Sequence, residues 1–214
     1  MTGPAAAGRP GVAAGGRPGV AAFDFDGTLV AGDSLRPFLE RLLGRRHFAA
    51  VLARAGPAMA AGYRCAGRDG AKAALLRRAV AGLDAERVAE LGAAHGAALA
   101  RRVRPAMAER IAWHDAQGHR RVVVSASLAE YLETFGRATG FAQVIATRLE
   151  VGPDGRLTGH LLGANVRAAE KAARLRAYLD GADVELWAYG DSPGDRELLA
   201  MADHPTLLGR RRRP

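Results

Sequence analysis

The sequence is short of cysteine, of lysine and of long apolar runs. Cys65 is the single cysteine in 214 residues. An internal disulfide framework is excluded, and a reducing, cytoplasmic setting is expected. No stretch free of Asp, Glu, Lys and Arg exceeds ten residues. That is far short of the ~18 that a membrane-spanning helix needs. Of the 31 basic residues only Lys72 and Lys171 are lysine. Lysine is a compact point charge and arginine a planar fork. A lysine retained in such a chain is a candidate for a place that needs a compact ammonium. Taken alone, each is better read as a chance survivor on a solvated face.

What is present is ordinary in bulk. The apolar fraction is 49% and the charged fraction 25%, so wholesale disorder is excluded. The length suits one α/β domain with a small insertion, able to bury roughly 70% of its unfolded surface. The net charge is +9, which suits nucleic acid, an anionic membrane surface or an anionic small substrate. Six arginines sit near the ends: Arg9, Arg17 and Arg210 to Arg213. Without them 25 bases face 22 acids. Residues 1–19 and 209–214 have nothing to bury and are expected to be a disordered head and a basic tail. The head repeats Gly-Arg-Pro-Gly-Val-Ala-Ala at residues 8 and 16. It lacks the apolar segment and the twin arginine of a secretory signal.

Val20–Phe25 reads as a short buried strand ending at the turn Gly27-Thr28. Leu35, Phe38, Leu39, Leu42 and Leu43 follow at helical spacing and stop at Gly44. Residues 47–61 are Ala-rich and helical, with Pro57 as a break or kink. Asp69 and Asp84 are each placed to cap a helix, and Pro105 suits the first turn of another. The period then changes. Arg121–Ser125 reads as a buried strand and 127–139 as a helix. Residues 143–151 and 156–162 flank the hairpin signal Pro153-Asp-Gly155. A helix over 167–180, a strand over 184–189, a further helix and a short strand at 206–208 complete the pattern. Strand–helix alternation predicts a Rossmann-like parallel sheet with helices on both faces. The expected α/β core is 20–35 and 116–208, with residues 36–115 inserted as a helical cap. His114 and His119 read as surface or cap packing, Trp113 and Trp187 as core or cap anchors, and Cys65 as a small cap residue.

Open α/β sheets bind ligands at the carboxyl ends of their strands. Asp24, Ser125 and Asp191 all fall at or just past such ends. Asp24 and Asp26 stand two residues apart, and Asp191 and Asp195 add two more carboxylates. Four acids in one place demand a hard cation, and Mg²⁺ fits because it takes few carboxylates plus substrate phosphate. Ser125 offers a hydroxyl, Lys171 a point charge for phosphate oxygens, and an Asp can act as nucleophile.

Phe23-Asp-Phe-Asp-Gly-Thr-Leu-Val30, Val123-Val-Ser125, Lys171 and Gly190-Asp-Ser-Pro-Gly-Asp195 resemble, in order and spacing, the four signatures of the haloacid dehalogenase-like superfamily. Residues 146–159 are similar to its subfamily IB, the phosphoserine-phosphatase-like branch. The resemblance implies a Mg²⁺-dependent phosphomonoester hydrolase working through an aspartyl-phosphate. Asp24 is then the nucleophile and Asp26 the general acid and base. Asp24, the Asp26 carbonyl and Asp191 hold the metal, Asp195 completes or orients its shell, and Ser125 and Lys171 hold the phosphoryl oxygens. Thr28, Asp33, Lys72 and Ala126 are carried over as substrate-binding positions. Four departures are visible. Asp33 stands where a Glu is expected, Lys72 where an Arg grips a substrate carboxylate, Ala126 where a Gly follows the Ser, and Gly194 where an Asn precedes the last Asp. The implied substrate is a small or lipid-linked phosphate ester. Alternatives are a phosphoserine phosphatase, a phosphotransferase, or a basic membrane- or nucleic-acid-associated protein with little catalysis.

Overall fold

A computed structural model describes residues 16–209. Most of the expected disordered head, through residue 15, and the run Arg210 to Arg213 lie outside the described residues. Arg17 is described, and it is anchored. Its guanidinium reaches Asp183 at 3.4 Å and Asp203 at 3.0 Å, just ahead of strand β1 (Gly19–Phe23).

The main sheet holds β1, β2 (Arg120–Leu128), β3 (Gln143–Thr147), β6 (Glu185–Gly190) and β7 (His204–Leu207), in the order β3-β2-β1-β6-β7 and all parallel. The inner strands are apolar on both faces: Val20 to Phe23 and Val122 to Val124 are fully buried. That is the mark of a sheet covered on both sides. The stretch read as one strand over 143–151 is two. β3 joins the edge of the main sheet, while β4 (Leu149–Val151) pairs antiparallel with β5 (Leu157–Leu161) around the Pro-Asp-Gly turn. The switch falls where Arg148 turns out to Glu133 and the Leu149 N–H goes to the Glu130 carboxylate at 2.9 Å.

The helices are α1 (Leu35–Leu43), α2 (Arg45–Val80), α3 (Ala85–Ala100), α4 (Pro105–Ala116), α5 (Ala129–Ala138), α6 (Ala169–Leu179) and α7 (Arg196–Ala200). Asp84 caps α3, accepting from the Arg87 N–H at 2.8 Å. Pro57 does not break α2. The chain reverses at Ala66 and Gly67 (φ 58°) instead, where only glycine takes the left-handed turn without strain. The two arms then meet backbone to backbone. A Cβ on Gly62 would lie 2.5 Å from the Gly70 carbonyl oxygen, and one on Gly70 2.1 Å from that of Gly62. α2 is thus a helical hairpin, with Tyr63 and Cys65 exposed near its tip.

α3 packs on α5 and α4 on β2, so this part of the 36–115 insertion covers the core layer, and the hairpin is the part reaching over the strand ends. His114 is fully buried, which corrects its reading as surface or cap packing. Its Nε2 pairs with the Tyr189 hydroxyl at 2.9 Å and its Nδ1 with Nδ1 of His119 at 2.8 Å. Gly118 turns the chain back and so brings the two rings together rather than apart. Burial pushes His114 down to about 3, so it is neutral in the fold. Trp113 is 40% exposed and packs edge-on to Trp187 at 6.0 Å.

Candidate active site

β1, β2 and β6 end along one rim, and a cavity of about 670 Å³ opens there beneath the second arm of α2. Asp24 leaves β1 with its N–H on the Tyr189 carbonyl at 2.9 Å. One carboxylate oxygen accepts from Lys171 Nζ at 2.5 Å and the other from the Thr28 hydroxyl at 3.3 Å. Lys171 Nζ also reaches Asp195 at 2.5 Å. It can do so because α6 starts from a constrained point. Ala168 holds φ 53°, with its N–H bound to the Gly194 carbonyl at 3.0 Å. A non-glycine residue there costs about 1–3 kcal/mol, a strain typical of functional sites.

Asp195 is saturated. Beyond Lys171 it accepts from the N–H groups of Asp191 (3.2 Å) and Ser192 (3.0 Å) and from the Ser192 hydroxyl (2.8 Å). Asp191 then stands against Gly27, where a Cβ would lie 2.2 Å from its carboxylate and where φ is 84°. The glycine after Asp26 is therefore required twice. Oxygens of Asp24, Asp191 and Asp195 all lie within 4.8 Å of one another. Three clustered carboxylates against one ammonium leave net negative charge, and the all-oxygen donor set fits a hard divalent cation. Burial pushes the Asp24 carboxyl above its ordinary value, against the pull of Lys171. Burial disfavours the Lys171 charge too, but Asp24 and Asp195 outweigh it and the group is raised.

Asp26 faces elsewhere. Its carboxylate accepts from the Ser127 hydroxyl at 2.6 Å and from the N–H and hydroxyl of Ser34, both at 3.0 Å. Burial pushes it up to about 7, despite the opposing bonds from Ser127 and Ser34. Ser34 also pairs with the Tyr131 hydroxyl at 2.9 Å. Ser34, Ser127 and Tyr131 were not foreseen. Two signals existed: Ser34 immediately precedes a helical pattern, and Ser127 lies two residues after Ser125, on the same side of a strand. Ser125 is buried, and its hydroxyl accepts the Ser127 N–H at 3.1 Å.

The positions carried over as substrate-binding divide. Thr28 is fully buried and supports Asp24 rather than facing the cavity. Asp33 lines the cavity but accepts the Leu35 and Arg36 N–H groups at 3.2 and 3.1 Å, the work of a helix cap. Lys72 is engaged by the protein: Nζ donates to the Ala126 carbonyl at 2.5 Å and to Asn165 Oδ1 at 2.7 Å. Burial pushes it down to about 8, with Asp69 pulling the other way. Asn165 Oδ1 also accepts from Thr147 at 2.9 Å, and its amide donates to Asp69 at 2.8 Å. Asp69, expected as a helix cap, is thus a link to the core. Arg68 and Arg167 line the cavity as well and were not singled out.

The sequence profile of the haloacid dehalogenase-like hydrolases matches residues 21–200. Protein CicA of Caulobacter vibrioides is 41% identical over 185 residues, 85% of this chain and 82% of that protein. A Bordetella pertussis protein of unknown function has a similar solved structure: TM-score 0.70, 23% identity, 86% of this chain and 87% of that one. A phosphoserine phosphatase captured as a phospho-aspartyl intermediate analogue gives TM-score 0.57 at 22% identity, over 87% and 84% of the two chains. The match runs from β1 into α7 and so takes in every acid of the rim. The profile match over residues 21–200 places the chain among the haloacid dehalogenase-like hydrolases, and the parallel sheet with its acids at the strand ends agrees with it.

Proposed function

We propose that the protein is a Mg²⁺-dependent phosphomonoesterase that works through an aspartyl-phosphate on Asp24. The observation that carries this reading is the Asp24–Lys171–Asp195 cluster with Asp191 beside it. Asp24 attacks phosphorus in line, and the P–O bond to the leaving alcohol breaks. Asp26, held near neutrality by burial, gives its proton to that oxygen. It then takes a proton from the water that attacks the aspartyl-phosphate, releasing inorganic phosphate and restoring Asp24. Lys171 and the Ser125 hydroxyl hold phosphoryl oxygens as charge redistributes. Asp24, Asp191 and the Asp26 carbonyl would hold Mg²⁺, which supplies further charge neutralisation at the phosphoryl group. Asp195, already saturated by four donors, orients Lys171 and the 191–195 turn.

Most side chains that line the cavity are polar or charged, with Leu35 and Ala126 the apolar ones. A small polar ester fits inside, and a lipid-linked one would keep its chains outside. A cytoplasmic setting suits the lone thiol of Cys65. Among the described residues no helix is long and apolar enough to cross a membrane. Release of phosphate from a chromogenic phosphate ester tests the reading. Turnover should need Mg²⁺, vanish with chelator, and fall roughly a thousandfold or more in Asp24→Asn. An Asp24→Asn enzyme that keeps wild-type turnover would exclude the mechanism.

A further inference from the structure

The charge of the folded chain is unevenly placed. The α2 hairpin holds eight bases and one acid, Asp69. Of the 25 bases and 22 acids in residues 20–208, that leaves 17 bases against 21 acids for the remainder. Arg45, Arg46, Arg54, Arg64, Arg68, Arg77 and Arg78 are all exposed. Among the described residues none of the seven is in an ion pair. Surface arginines without acids beside them repel one another, so this arrangement costs stability unless an anionic surface meets it.

We propose that the outer face of the hairpin docks on an anionic lipid bilayer. Arg46 and Arg64 lie 18 residues apart, five full helical turns, and so share one face over about 27 Å. Arg54 flanks that face, and the exposed residues Ala49, Ala53, Pro57 and Ala60 separate the charges. The result is a shallow basic ridge suited to a flat surface. Tyr63, 59% exposed near the tip, is a side chain favoured at a membrane–water boundary. Residues 45–80 contain no Ser, Thr, Asn or Gln, the neutral side chains that read bases and share phosphate contacts in nucleic-acid interfaces. The charge complement is therefore a sheet of lipid phosphates.

The test uses the full chain with phosphatidylglycerol/phosphatidylcholine vesicles in co-sedimentation. A fluorophore on Cys65, the exposed single thiol, gives a second readout. The wild type should partition to anionic vesicles, blue-shift the label, and ignore pure phosphatidylcholine. The triple change Arg46→Glu, Arg54→Glu, Arg64→Glu should weaken partitioning by about a hundredfold or more, with its circular dichroism and thermal transition near wild type. None of these three lines the cavity, so phosphatase activity is read separately and its outcome does not decide the docking. The proposal is overturned if the folded triple variant still binds vesicles. It is also overturned if binding is lost only on removing residues 209–214, or if the ridge retains DNA and not vesicles at equal salt.

Discussion

Lys171 and Lys72 both line one cavity and are held in opposite ways. Lys171 belongs to the core and sits between two carboxylates at 2.5 Å each. Lys72 belongs to the hairpin and donates to two neutral oxygens, the Ala126 carbonyl and Asn165 Oδ1. The ammonium is therefore raised above its ordinary value at the buried Lys171 and lowered to about 8 at the part-buried Lys72. The core lysine works as a counter-ion, and the hairpin lysine as a donor that ties two layers together.

The largest test of that contrast is removal of each ammonium. Lys171→Met leaves Asp24 and Asp195 buried without their cation. Stability should fall by about 3–5 kcal/mol in urea unfolding, and phosphate release should be lost. Lys72→Met removes a donor from two neutral acceptors, one of which keeps Thr147. The expected cost is about 1–3 kcal/mol, with turnover reduced but measurable. If Lys72→Met is as damaging as Lys171→Met in both readouts, the distinction between counter-ion and tie fails.

The contrast also explains what could be read before the fold. Both lysines stand out by type in a chain of arginines, and the acids Asp24, Asp26, Asp191 and Asp195 were legible because they fall at or just past the ends of expected strands. The parallel sheet was legible in runs such as Val122 to Val124. The partners were not. Ser34, Ser127 and Asn165 are ordinary polar residues until the chain closes, and the bond from Lys72 goes to a backbone oxygen, which leaves no trace in sequence. The reversal at Gly67 was missed because Pro57 is the stronger local breaker. What decides the site is the tertiary approach of Gly62 to Gly70. His114 was misplaced for the same reason: its partner Tyr189 lies 75 residues away.

The pH dependence separates the two lysines without removing either. Between about 8 and the ordinary 10.5 of a lysine, unfolded chains keep a proton on residue 72 that the folded protein has released. The unfolded state binds more protons there, so stability rises with pH across the window. Lys171 is raised, so its contribution is fully present below 10.5 and is lost only as pH climbs through its higher folded value. Tyr131 and Tyr189, both raised by burial, also titrate differently in the two states near pH 10, so the effect is read as a difference from a variant that keeps them. Wild type should gain about 2 kcal/mol from pH 8 to 10 relative to Lys72→Met in urea midpoints. A flat difference would mean that Lys72 titrates as a solvated amine.

The smallest effect sharpens the same point. Asp69 is the charge that does most to hold Lys72 up against burial; it acts through space, and its carboxylate also accepts the Asn165 amide at 2.8 Å. Asp69→Asn keeps an acceptor for that amide and removes the charge. The hairpin should stay tied, with stability at pH 7 changed by under about 1 kcal/mol. Residue 72 should fall further, so the stability rise should begin below pH 8. The check is the onset of that rise in the variant against wild type. An unchanged onset would mean that burial alone sets Lys72, and that the acid of the hairpin serves only to align Asn165.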